Sequence, residues 1–111
     1  MKLLGVGIIG AGGHFGQFVT AALEQMKTIR ITAIAERNPQ KAEQISRKLG
    51  VKYHLDYRAL IADPDVQIVV ICTPPFLHAQ MALEAVRAKK HVFVEKPMAT
   101  ELKDADRLLA R

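Results

Sequence analysis

Short apolar runs alternate along the chain with stretches whose apolar residues recur at helical spacing. Leu4 to Ile9 is apolar on both faces, as a central parallel strand covered by helices is. Behind it Phe15, Phe18, Val19, Ala22, Leu23 and Met26 fall at i, i+3, i+4, i+7, i+8 and i+11, one face of a helix. Ile29 to Ala35 reads as a second strand running into Glu36. Asn38-Pro39 then opens a helix, a side-chain cap followed by proline at the first helical position, with Ala42, Ile45 and Leu49 inward and Gly50 closing it. Val51 to His54 is a short third strand with His54 at its surface end, and Asp56 caps a brief helical turn through Leu60 and Ile61. After the turn Asp63-Pro64-Asp65, the β-branched run Ile68 to Cys72 predicts a buried fourth strand, which Thr73-Pro74-Pro75 stops because proline cannot donate to a ladder. Phe76 to Ala88 is the next helix, with Leu77, Met81, Ala82 and Ala85 inward. His91 to Glu95 is a fifth strand, and Thr100 caps a last helix with Leu102, Ala105, Leu108 and Leu109 inward.

Five strands, each followed by a helical crossover, predict an α/β domain with a parallel sheet. Right-handed connections give the strand order 3-2-1-4-5, with helices on both faces. The 111 residues, half of them apolar, suffice for one core and hence one domain, 1–111. Sixteen Lys and Arg against eleven Asp and Glu leave a net charge of +5, but these residues are scattered over helix faces without aromatic interleaving, so a solvated surface is expected and no nucleic acid. The single cysteine, Cys72, excludes an internal disulfide and a multi-cysteine metal site, so no metal is expected, and it fits a reducing compartment. No charged-then-apolar leader precedes the first strand, and no apolar run approaches the ~20 residues of a membrane span. A soluble cytoplasmic protein without a membrane partner is the expectation.

The chemistry concentrates where the first strand ends. Gly10, Gly12, Gly13 and Gly16 lie between that strand and the helix behind it. A helix N-terminus carries unpaired N–H groups and partial positive charge, and glycines let the backbone approach a pyrophosphate closely, the mechanism of the dinucleotide fingerprint G-x-G-x-x-G. Here Gly10-Ala11-Gly12 supplies the first half, Phe15 stands where the third glycine belongs, and Gly16 comes one residue late. A second match at Gly5, Gly7 and Gly10 lies inside the strand with no helix behind Gly7, and is rejected. Glu36, at the tip of the second strand, has two readings: a solvent-facing carboxylate, or an acceptor for both adenosine ribose hydroxyls that favours NAD by repelling a 2'-phosphate. Arg37 could stack on adenine or pair with that phosphate, so NADP stays possible. His78, just past the carboxyl end of the fourth strand, is either structural or a ligand contact. Lys96, directly after the fifth strand, is either an exposed loop lysine or a group that contacts a ribose or polarises a substrate oxygen.

The segments VGIIGAG, AIAERNPQKA, DYRALIADPDVQIVVICTPPFLHAQMALEAV and KKHVFVEKPMA together resemble the Gfo/Idh/MocA oxidoreductases, a family that includes glucose-fructose oxidoreductase and inositol 2-dehydrogenase. The resemblance implies a Rossmann-like fold in which Gly10, Ala11, Gly12, Gly13, His14 and Phe15 bind the pyrophosphate and Glu36 the ribose. It places Thr73, Pro74 and His78 on the nicotinamide side. Glu95, Lys96 and Pro97 fall beside the nicotinamide, with Lys96 placed to reach substrate as the catalytic residue and the proline often cis. Two departures stand out: the extra residue before Gly16, which would widen the phosphate turn, and Pro75-Phe76 in place of a more polar pair. Members of the family continue into a substrate-binding α/β domain, so a truncated NAD(P)-binding domain is expected, lacking a sixth strand and the C-terminal substrate domain and inactive alone. The whole enzyme would move a hydride to or from a sugar, cyclitol or related polyol. An unpaired edge on the fifth strand could support a homo-oligomer or be covered by a terminal segment. The alternative is a non-catalytic dinucleotide-sensing or interaction module.

Overall fold

The computed structural model describes residues 3–12, 14–73 and 75–94, with all their side chains except those of residues 14, 15, 17, 18, 75 and 76. The elements run β1 (Leu4–Ile9), α1 (His14–Glu24), β2 (Ile29–Ala35), α2 (Pro39–Leu49), β3 (Lys52–His54), α3 (Tyr57–Ile61), β4 (Ile68–Ile71), α4 (Pro75–Arg87) and β5 (His91–Val94). All strand pairs are parallel, and the sheet order is β3-β2-β1-β4-β5, as the crossovers predict. Boundaries differ from the sequence expectation by a residue at β3, β4 and α4, the usual fraying of element ends, and Glu95, the expected last residue of β5, lies outside the described residues. The helix expected after Thr100 lies outside the described residues.

Alternation along the strands divides the core between two faces. Val6, Ile8, Ile34 and Val70 pack under α1 and α2 with Val19 and Ala42; Ile9, Ala33, Ala35, Val69 and Ile71 pack under α3 and α4 with Leu60, Ile61, Met81, Ala82 and Ala85. Burying each of the larger side chains contributes about 1.5–3 kcal/mol. Strand β2 keeps both faces supplied by shifting register: Val6 pairs with Ile31 but Gly7 with Ala33, so Thr32 is skipped and Ile31 and Ile34 both reach the α1–α2 side.

Helix α1 turns a different face inward from the one its apolar residues suggest. Ala22 and Met26 are exposed, and the inward positions are Gly16, Val19, Thr20 and Leu23. Thr20 is buried because its hydroxyl donates to the Gly16 carbonyl at 2.6 Å, which removes the cost of an unpaired polar group. Helix α2 matches its sequence signals: Asn38 Oδ1 accepts from the amides of Gln40 (3.0 Å) and Lys41 (3.2 Å), and Gly50 closes the other end.

His54 is not a simple surface residue. Its Nε2 lies 2.9 Å from Asp63 Oδ2, whose carboxylate is almost fully buried and also accepts from Lys52 Nζ and the Asp65 amide. Burial pushes the Asp63 carboxyl up, but hydrogen bonds from His54, the Asp65 amide and Lys52 outweigh it and hold the group down at about 2. The surrounding loop is tied from several sides. Lys90 Nζ donates to the carbonyls of Asp63 and Val66, Thr32 to that of Asp65 (3.0 Å), and the Gln67 side chain accepts from the Gly5 amide (2.6 Å).

Candidate functional site at the carboxyl edge of the sheet

The central strands end together. The Gly10 amide donates to the Ala35 carbonyl at 3.0 Å and the Cys72 amide to the Ile9 carbonyl at 2.9 Å, so the turn after β1 is suspended between the tips of β2 and β4. Gly10 holds φ +81°, a conformation that side chains rarely adopt. A Cβ on Gly12 would lie 2.2 Å from Glu36 Oε1: the carboxylate at the tip of β2 folds over the bare backbone of the turn. Glu36 is held there, with Oε2 accepting from the Asn38 amide at 2.8 Å and its own amide donating to the His54 carbonyl at 3.0 Å.

Gly16 does the work assigned to the third glycine. A Cβ there would stand 2.3 Å from the Gly10 carbonyl oxygen and 2.7 Å from Ala11, so the close approach of α1 to the turn needs glycine at this position. The glycines of the rejected match are explained by packing instead: Gly5 lies against the Asp65 carbonyl and Gly7 against Leu60.

A cleft of about 730 Å³ opens along this edge, a size suited to a small-molecule or cofactor ligand. Of the residues singled out from sequence, it brings together Gly10, Gly12, Glu36, Arg37 and Thr73. The Ala11 side chain is buried in the core, leaving its backbone to the turn. His14 and Phe15 are described only as backbone, in the first turn of α1. His78 is 2% exposed and supports the cleft from behind, its Nε2 donating to the Thr73 carbonyl. Gly13, Pro74, Glu95, Lys96 and Pro97 lie outside the described residues.

Lys41, Tyr57 and Arg58 also line the cleft and were missed from sequence. Lys41 follows the Asn38 cap on α2, and Tyr57-Arg58 follow the Asp56 cap, so each cap signal also marked an element opening at the ligand edge. Tyr57 and Arg58 share a partner. The Tyr57 hydroxyl bonds to Glu84 Oε2 on α4, Arg58 Nε donates to Glu84 Oε1 at 3.0 Å, and the guanidinium lies 4.9 Å over the Tyr57 ring. Burial and the neighbouring carboxylate push the Tyr57 phenol up to about 12. Burial raises the Glu84 carboxyl, but bonds from Tyr57 and Arg58 prevail and hold it below its ordinary value.

These features suit a dinucleotide. The glycine turn borders the cleft at the start of α1, where a helix N-terminus favours a pyrophosphate, a carboxylate held against Gly12 can accept from ribose hydroxyls, and three cationic side chains, Arg37, Lys41 and Arg58, line the same cleft. Residues 4–111 match a family described as an oxidoreductase family with an NAD-binding Rossmann fold. The chain belongs to the Gfo/Idh/MocA oxidoreductases. Among family members with similar sequences, levoglucosan dehydrogenase of Pseudarthrobacter phenanthrenivorans is 39% identical over 108 residues, 89% of this chain and 27% of that protein. Myo-inositol 2-dehydrogenase of Thermotoga maritima is 33% identical over 105 residues, 94% of this chain and 31% of that protein. The crystal structure of KijD10, a 3-ketoreductase from Actinomadura kijaniata in complex with NADP and TDP-benzene, superposes with a TM-score of 0.92 at 34% identity, covering 98% of this chain and 34% of that one. The chain thus spans about a third of the length of these Gfo/Idh/MocA proteins. Residues 4–111 match the family's NAD-binding Rossmann fold, and KijD10, to which the chain is similar, was solved with NADP. Among the described residues no helix is long and apolar enough to cross a membrane.

Proposed function

We propose that residues 1–111 are the dinucleotide-binding domain of a longer cytoplasmic dehydrogenase or reductase, whose substrate domain lies elsewhere in the protein. Its substrate would be a sugar, cyclitol or related polyol. The observation that carries this reading is the Glu36 carboxylate folded over Gly12 at the mouth of the cleft. The relatives' names support the substrate class: one acts on levoglucosan, one on myo-inositol, and another is a dTDP-sugar 3-reductase. The sensing module weighed from sequence has no comparable observation in its favour.

When bound, the nicotinamide supplies the hydride chemistry. The chain's own residues position it. Backbone at Gly10, Ala11, Gly12, Gly13, His14 and Phe15 receives the pyrophosphate, and Glu36 accepts from ribose hydroxyls. Thr73, braced by His78, lines the nicotinamide side with Pro74. By the family resemblance Glu95, Lys96 and Pro97 would serve the nicotinamide side, with Lys96 stabilising negative charge that develops on a substrate oxygen. The proton acceptor belongs to the substrate domain, so these residues alone turn over nothing.

Glu36 favours NAD, because a 2'-phosphate would meet its carboxylate, whereas Arg37 and Lys41 on the same cleft attract that phosphate. KijD10 was solved with NADP. Calorimetric titration with NADH and NADPH on the unmodified chain and on Glu36→Ala tests the assignment. NADH binds more tightly to the unmodified chain and the substitution narrows the gap; tighter binding of NADPH to the unmodified chain would overturn the role of Glu36.

A further inference from the structure

The cleft wall contributed by α3 is held by a residue that does not line the cleft. Tyr57 and Arg58 form the α3 corner of the wall, and both are tied to Glu84, two turns into α4. One carboxylate engages the pair through both oxygens, one to the phenol and one to the guanidinium, while the guanidinium covers the ring. Without Glu84 the arginine, mostly exposed at 63% of its side chain, loses its hydrogen-bonded carboxylate and keeps only the weaker attraction of Asp56. Glu84 is itself only 22% exposed, so it is better held than the arginine it engages, while Tyr57 packs against the core.

Position within the sheet says which part of a ligand this corner meets. The order is β3-β2-β1-β4-β5, and α3 follows β3, so Tyr57 and Arg58 stand on the β2–β3 side of the glycine turn, the side of Glu36. If Glu36 receives the adenosine ribose, the corner flanks the adenosine half, and a planar guanidinium held over a phenol ring offers it a flat cationic edge. Holding that edge in place before the ligand arrives spares the ordering of a rotamer-rich side chain on binding.

We propose that Glu84 is a positioning residue for adenosine recognition, acting through Tyr57 and Arg58. This rests on the reading of the cleft as a dinucleotide site and adds to it a control point on α4, outside the cleft. The ordering cost relieved corresponds to an affinity change of about 3- to 10-fold.

The test is calorimetric titration of the 111-residue chain with AMP, ADP-ribose and NADH, in the unmodified form, Glu84→Ala, Tyr57→Phe/Arg58→Ala, and the triple combination. Glu84→Ala is expected to weaken all three ligands by the same factor, about 3- to 10-fold, with AMP showing the full loss although it carries no nicotinamide. The loss should vanish when Glu84→Ala is made in the Tyr57→Phe/Arg58→Ala background, since a residue acting through others has no effect once they are gone. Alkaline absorbance titration, with circular dichroism on the same samples to show that the chain is still folded, adds a second readout: the Tyr57 step moves down in Glu84→Ala while the fold signal is unchanged. AMP affinity unchanged by Glu84→Ala, or an effect that persists in full in the double background, overturns this proposal alone. No binding of any of the three ligands by the folded, unmodified chain overturns it together with the dinucleotide reading.

Discussion

Gly12 and Gly16 both lack room for a side chain, but what stands in the way differs, and so should the consequences of adding one. A Cβ on Gly12 meets the Glu36 carboxylate, 2.2 Å from Oε1 and 2.9 Å from Cδ. To restore ordinary contact the carboxylate must retreat by about 1 Å. That is open to the end of a flexible side chain, at the expense of its bond to the Asn38 amide, about 0.5–1.5 kcal/mol. Alanine returns about 0.4–1 kcal/mol by restricting the unfolded chain. Gly12→Ala should therefore change stability by less than about 1 kcal/mol, a few degrees of Tm. A Cβ on Gly16 meets backbone, the Gly10 carbonyl at 2.3 Å and Ala11 at 2.7 Å, and the turn it strikes is pinned through the Gly10–Ala35 hydrogen bond. Helix α1 must move outward, at about 1–3 kcal/mol or more, so Tm falls by roughly 4–12 °C. Ligand binding reverses the emphasis in Gly12→Ala: displacing the carboxylate removes charge-assisted bonds to the ribose, about 1.5–3 kcal/mol, or roughly 10- to 100-fold in affinity. Thermal melts by circular dichroism and titration with ADP-ribose separate the two effects. The reasoning is refuted if Gly12→Ala melts as low as Gly16→Ala, or if it binds ADP-ribose as tightly as the unmodified chain.

The Asp63 carboxyl, held at about 2 against an ordinary 3.8, makes stability pH-dependent. Because its folded value is depressed, its contribution of about 2 kcal/mol is complete above about pH 4 and is lost as pH falls toward 2; urea melts across that window should show a steeper decline for the unmodified chain than for Asp63→Asn, and parallel declines would contradict the assignment. Lys89 sits at φ +65° just beyond α4, where glycine is at ease, so Lys89→Gly should stabilise by about 0.5–1 kcal/mol, read as a rise in denaturation midpoint; a fall would show that its side chain matters more than its backbone. Steady dehydrogenase activity from residues 1–111 with a polyol and NAD would contradict the assignment of the proton acceptor to a separate domain.

The sheet was legible because its central strands are buried on both faces and therefore read as continuous β-branched runs, as at Ile68–Ile71, while proline and glycine marked the breaks between elements. The inward face of α1 was not, because Thr20 takes a buried position by bonding to its own helix, and a polar letter in an apolar stripe reads as solvent-facing. Irregular glycine spacing predicted a wider turn; contact with the Gly10 carbonyl identifies Gly16 as the closely packed glycine in spite of it. His54 looked like a surface residue because its partner lies across a helix and a turn, at Asp63. Tyr57, Arg58 and Glu84 were invisible as a group for the same reason: 26 and 27 positions separate the carboxylate from its partners, and only the packing of α3 beside α4 brings them together.

Asp63-Pro64-Asp65 has the composition of a turn that tolerates insertion, yet side chains from β2 and from the residues that lead into β4 and β5 are fastened to backbone carbonyls at or beside it, or to the strand beneath it. An epitope tag or a circular-permutation breakpoint placed there would detach three elements at once. The connection from Gln25 to Thr28, exposed along its length, is the place to open the chain.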